Sequence, residues 1–126
     1  MRDEKKTPMD LSLRTKSFAL RVIKLFSALP KNTLSQTLGK QVLRSGTSVG
    51  ANYREAKRSR SRNEFIAKIG DCLKELDETA YWLELLTDSE ILPVSKTGAL
   101  IAECDELIAI LTTISKKTKA SGLHHS

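Results

Sequence analysis

The chain has 126 residues, 2 cysteines and a formal net charge of +6, with 40% hydrophobic and 29% charged residues. A chain of this size makes one domain that hides roughly two-thirds of its unfolded surface, so folding requires neither a disulfide nor a metal. No apolar run approaches the ~20 residues of a membrane span and the opening MRDEKKTPMD carries no signal-peptide segment, which argues against a membrane partner and makes a cytoplasmic location the expectation.

Charge is unevenly placed. Residues 1–68 hold 16 Lys/Arg against 5 Asp/Glu, a net +11, whereas residues 69–126 hold 5 against 10, a net −5. Such asymmetry fits an acidic partner such as nucleic acid, or basic and acidic faces that meet between subunits.

Residues 1–10 are charged and contain Pro8, so a flexible basic arm is expected, with Asp10 as a candidate N-cap. The first helix is expected from about Leu11 to Leu29, stopped by Pro30. Leu11, Phe18, Val22, Leu25 and Leu29 make its core stripe. Leu13, Leu20 and Ile23 fall roughly opposite, interleaved with Lys16 and Lys24, so this helix has two apolar sides and wants two partners.

Asn32 or Thr33 can cap a second helix reaching about Lys57, with Leu34, Leu38, Val42, Val49, Tyr53 and Ala56 as its apolar line. Beside that line runs a polar stripe of Gln41, Ser45, Ser48, Asn52 and Glu55. The other shoulder carries Gly39, Gly46 and Gly50. An interior glycine costs about 1 kcal/mol relative to alanine, so three on one shoulder predict a close approach by another backbone. The polar stripe has no histidine and no nucleophile with a neighbouring base, so it reads as a hydrogen-bonded seam against another helix rather than as a catalytic site.

Then comes KRSRSRNE, in which Ser61 and Glu64 fit the capping box that opens a third helix, from near Arg62 to about Thr87. Phe65, Ile69, Leu73, Leu76, Ala80 and Leu83 form its core stripe. Asp71, Glu75, Glu78 and Trp82 lie roughly opposite. The two helices with a second strip, one basic and one acidic, predict that helix one of one subunit packs on helix three of the next. A fourth helix, from about Ser95 to Lys117, carries Leu100, Cys104, Leu107, Ile108, Leu111 and Ile114 on one side. Lys116, Lys117 and Lys119 follow, which suits the negative pole of the helix dipole.

Short turns between these helices predict an all-α, antiparallel up-down-up-down four-helix bundle over residues 11–118, with a flexible tail at 119–126. Cys72 and Cys104 lie on apolar stripes and read as buried thiols. His124 and His125 fall in the tail, away from any Cys or acidic partner, and no Glu-x-x-His pair of a di-iron bundle is present, so no metal and no cofactor are expected.

The helix 2–helix 3 junction concentrates Arg54, Lys57, Arg58, Arg60 and Arg62. Cations at the end of helix two favour its dipole, but Arg60 and Arg62 gain nothing at the start of helix three. This excess suits phosphate, giving salt-dependent binding of RNA or DNA without base readout, with Lys5, Lys6, Lys16 and Lys24 as helpers.

Arg44, Ser45, Ser48, Val49, Asn52 and Glu55, followed by Ser61, Glu64, Phe65, Glu75 and Glu78, carry a resemblance to a known family. The stretch RSGTSVGANYREA with SRNEFIAKIGDCLKELDETAYWLELL resembles the four-helix-bundle proteins encoded by intervening sequences in bacterial large-subunit ribosomal RNA genes. Ala56 stands where many members have glycine. The resemblance implies an antiparallel bundle that assembles as a homopentamer. It also implies a more distant similarity to the accessory bundle protein of diversity-generating retroelements, which binds nucleic acid and a reverse transcriptase. The expected function is a non-enzymatic homo-oligomer that binds nucleic acid at the junction. The alternative is a structural adaptor for a protein partner, with the basic excess used in subunit pairing.

Overall fold

A computed structural model describes the backbone of residues 10–125 and the side chains of residues 10–122. Lys5, Lys6 and the rest of the expected arm before Asp10 lie outside the described residues. Four α-helices follow in order: α1 Leu11–Ser27, α2 Thr33–Lys57, α3 Arg62–Asp88 and α4 Val94–His125.

Three of the helix starts follow from one local device. Asp10 Oδ1 accepts from the Ser12 amide at 2.7 Å, Asn32 Oδ1 from Ser35 at 2.9 Å, and Ser61 Oγ from Glu64 at 3.0 Å. Each satisfies a first-turn donor that has no partner inside its helix. The Glu64 carboxylate reaches back to the Arg60 amide at 3.0 Å, one residue earlier than a capping box usually reaches. α3 ends at Asp88 with Ser89 as its C-cap, and Glu90 then takes a φ of 64°, a left-handed conformation that glycine adopts more cheaply.

The helices pack as consecutive antiparallel neighbours. From α1 to α2, Val22 meets Gly46, Thr15 meets Gly50, and Ser12 meets Lys57. From α2 to α3, Ser45 bonds Thr79, the Val49 carbonyl lies by Cys72, and Glu55 pairs with Lys68. From α3 to α4, Thr87 bonds Thr97 and Arg62 packs on Gly122. In each pair one number rises as the other falls. α1 and α4 approach each other sparsely, joined where Arg14 bonds Glu103 at 2.7 and 2.9 Å and Glu106 at 2.7 Å.

The core is one cluster centred on Phe18, Val22, Val42, Val49, Ile69, Leu76, Leu83, Leu107 and Leu111, all fully buried. Cys72 and Cys104 are also buried within it and both are free thiols. The glycine shoulder of α2 does admit α1, but mostly to side chains: a Cβ at Gly46 would sit 2.8 Å from Val22 Cγ2, and one at Gly39 would overlap Leu29. At Gly50 the Thr15 carbonyl oxygen lies 3.5 Å from that position, an ordinary contact, so the tight approaches at this shoulder are made by side chains rather than by the expected backbone.

Three expectations change. α1 stops at Ser27, with Ala28 as its C-cap, before Pro30 is reached. Leu34 is 59% exposed because its neighbour Ser35, in line at seven-residue spacing with Val42, Val49 and Ala56, takes the buried side of that first turn. α4 runs past Lys117 to His125, through the span expected as a tail, since nothing in Thr118–Ser121 breaks a helix and Gly122 seats the Arg62 side chain.

Candidate nucleic-acid interface

Antiparallel packing brings the end of α2, the start of α3 and the end of α4 to one pole of the bundle. Arg54 and Lys57 occupy the last turn of α2, Arg58 caps it, and Arg62 opens α3. Arg54, Lys57, Arg58, Arg60 and Arg62 are all exposed. Lys57 Nζ donates to Ser12 Oγ at 3.2 Å. Among the described residues none of the five makes an ion pair, whereas Arg14, Arg44 and Lys68 each do.

Two grooves flank this pole. One, of about 500 Å³, lies between α1 and α2, with Lys16, Arg54 and Arg58 on its walls and Ala19, Gly50 and Ala51 as small lining residues. Ser12, Thr15 and Thr47 add hydroxyls. Glu55 also lines it, but its carboxylate is held by Lys68 Nζ at 2.7 Å. The other groove, of about 570 Å³, lies between α3 and α4 and is lined by Ser61, Arg62, Asn63, Ile66, Lys119 and Gly122. Guanidinium forks and ammonium groups over small or hydroxylated surface suit phosphate oxygens, with arginine able to hold two at once.

The structure therefore adds Lys119 to the junction. Its place after a long apolar stripe suggests only a helix-dipole partner. The signal that finds it is register: α3 and α4 antiparallel set residue 62 beside residue 122. Lys16 stands in the first groove, which Arg54 also lines, while Lys24 sits toward the opposite pole, in a different cavity.

The polar stripe of α2 divides. Ser45 is fully buried, donates to the Gln41 carbonyl at 2.9 Å and accepts from Thr79 at 2.7 Å. Ser48 bonds back to the Arg44 carbonyl in its own helix. Gln41 and Asn52 are half-buried, and Glu55 is exposed and turned to Lys68. Thr79, absent from the sequence-derived seam, is the residue that completes it.

On the outer side of α1, Leu13 is 61% exposed, Leu20 58% and Ile23 42%, with Lys16 and Lys24 exposed beside them. On α3, Asp71 is exposed, but Glu75 and Glu78 are half-buried and held by Arg44 at 3.3 and 2.7 Å. That hydrogen bond to Glu78, with the two negative charges, holds the Arg44 guanidinium above its ordinary range. Trp82 is half-buried against the core, and its enclosed Nε1 has no acceptor among the described residues. Tyr81 meets it edge-on at 5.2 Å and is 55% exposed.

Burial pushes the Cys72 and Cys104 thiols up to about 12, so neither is poised as a nucleophile. Among the described residues no group of three or more His, Cys, Asp or Glu side chains could hold a metal ion, and no helix is long and apolar enough to cross a membrane.

Comparison with known proteins agrees with this architecture. The family model described as 23S rRNA-intervening sequence protein matches residues 9–113. A crystal structure from Bacteroides thetaiotaomicron, of a protein of unknown function from the S23 ribosomal protein family, is 37% identical in sequence. That match covers 85% of this chain and 99% of the other, with a TM-score of 0.80. No functionally curated protein matches.

Proposed function

The chain belongs to the 23S rRNA-intervening sequence protein family, and from that premise we propose that it is a non-enzymatic, cytoplasmic homo-oligomer that holds nucleic acid by its phosphates. The observation that carries this reading is the basic pole, where Arg54, Lys57, Arg58, Arg60 and Arg62 are exposed without a described carboxylate partner. Lys119 extends it into the groove between α3 and α4, and Arg54 and Arg58 carry it into the groove between α1 and α2. Such a surface neutralises phosphates and reads no bases, so RNA and DNA of unrelated sequence bind alike.

Self-association multiplies these contacts. The exposed Leu13, Leu20 and Ile23 of one subunit, with Lys16 and Lys24, pack on the Asp71, Glu75, Glu78 and Trp82 side of the next. Two different surfaces meet in such a contact, which closes into a ring when the rotation permits, and the family resemblance implies five subunits. A ring repeats the basic pole around one axis, so weak phosphate contacts act together.

The test is a mobility-shift titration of RNA and DNA across a salt series. Five phosphate contacts on a single strand give a slope of log affinity against log salt of about −3.5. Combined Arg54→Glu, Arg58→Glu and Arg62→Glu substitutions abolish the shift while leaving helix content unchanged. A flat salt dependence, or retention of binding by the triple variant, overturns the electrostatic reading. A salt-stable oligomer that retards neither RNA nor DNA supports instead an adaptor that binds a protein partner.

A further inference from the structure

The seam between α1 and α4 is unevenly closed. Toward the basic pole, Arg14 on α1 meets Glu103 and Glu106 of α4 in a clasp whose Arg14 and Glu103 are half-buried and whose Glu106 is exposed. Further along the same flank of α1 the pairing fails. Arg21 and Lys24 face a cleft shared with Lys96 of α4, so cation meets cation, and the residues lining the cleft include no carboxylate. The cleft has a volume of about 370 Å³ and a mainly apolar floor formed by Leu25, Leu92 and Leu100. Ala28 and Ala99 leave it open. That volume lies within the range of small-molecule sites, roughly 300–1,000 Å³.

A second feature points the same way. Lys96 sits in the first turn of α4, which holds no acidic residue. A cation there opposes the positive end of the helix dipole, so an anion at this position gains from that dipole, from Lys96 and from Arg21, whereas Lys24, in the last turn of α1, offsets the negative end of that helix beside the cleft. Among the described residues none of these three cations has an ion-pair partner.

We propose that this cleft binds a medium-chain aliphatic carboxylate, its alkyl chain on the Leu25–Leu92–Leu100 floor and its carboxylate among Arg21, Lys24 and Lys96. Apolar floor and cationic rim each select half of such a ligand. The site lies at the pole opposite the nucleic-acid surface and does not depend on phosphate binding there; it shares Lys24 with the proposed subunit contact, so Arg21 and Lys96 hold the carboxylate in the assembled ring.

The probe is sodium decanoate, titrated below its micelle concentration and followed calorimetrically and by amide chemical shifts. Saturable binding is expected, with shifts centred on residues 21–28 and 92–100. Octanoate binds more weakly, by about fourfold for each methylene lost. Decanol, which lacks the charge, binds at least about tenfold more weakly, as does decanoate to the Arg21→Gln, Lys96→Gln variant. Ala99→Phe, at an exposed position, fills the cleft and abolishes binding without lowering the thermal midpoint. Decanol binding as tightly as decanoate, undiminished affinity in either variant, or no saturable binding at millimolar decanoate overturns the proposal.

Discussion

Thr79 Oγ1 donates a 2.7 Å hydrogen bond to Ser45 Oγ, and both side chains are fully buried between α2 and α3. The Ser45 hydroxyl in turn donates to the Gln41 carbonyl, and the Glu75 carbonyl lies 2.7 Å from Thr79 as a reserve acceptor. Ser45→Ala therefore strands no donor and costs about 1 kcal/mol in urea unfolding. A double-mutant cycle with Thr79→Val is expected to give a coupling of at least ~0.5 kcal/mol, whereas independent residues would add.

Glycine positions give contrasting outcomes. A Cβ at Gly46 would lie 2.8 Å from Val22 in the core, so Gly46→Ala overpacks and destabilises by about 1–3 kcal/mol. Gly70, also mid-helix, has nothing within 4 Å of that position, and Gly70→Ala stabilises by about 1 kcal/mol. Glu90, at a φ of 64°, is the reverse case: Glu90→Gly relieves the left-handed conformation and stabilises by roughly 0.5–1 kcal/mol. Thermal midpoints of the three variants should separate in that order of sign.

The buried thiols make alkaline stability a diagnostic. Burial raises Cys72 and Cys104 from an ordinary 9.0 to about 12. Below the unfolded value both states hold the proton and the thiols contribute no pH dependence. Between the two values the unfolded chain has lost the proton and the folded one keeps it, so stability falls as pH rises. The slope is about 1.4 kcal/mol per pH unit for each thiol. Replacing both by alanine should flatten that limb of the curve, and thiol reagents at pH 8 should modify the native protein only as fast as it opens.

Trp82 tests the subunit contact. Light scattering at micromolar concentration should give the mass of an oligomer, and Trp82→Asp or Leu20→Asp should each reduce it, consistent with a loss on the order of 2 kcal/mol at a central aromatic contact. A monomeric wild type, or an unchanged mass in both variants, would exclude this pairing of α1 with α3.

What the sequence makes legible is what local chemistry decides. Asp10, Asn32 and Ser61 start their helices through bonds that span two or three residues, and all three starts are readable. The end of α4 is not, because its last turns lean on Arg62, sixty positions away in the chain. Periodicity also assigns Glu75 and Glu78 an angle on α3 without revealing that Arg44 reaches across to hold them. The same limit hides Lys119, whose place beside Arg62 depends on how two helices register.

The sparse contact between α1 and α4 has a kinetic consequence. Every other helix pairing joins segments that follow one another through a short turn, so each hairpin closes a small loop at little entropic cost. A topology with such local contacts is expected to fold in microseconds to milliseconds. The Arg14 clasp on Glu103 bridges a sequence separation of 89, so it closes after the hairpins have formed. Loosening it should quicken unfolding and leave the folding rate nearly unchanged, making Arg14 a latch on the lifetime of the native state rather than a guide to reaching it.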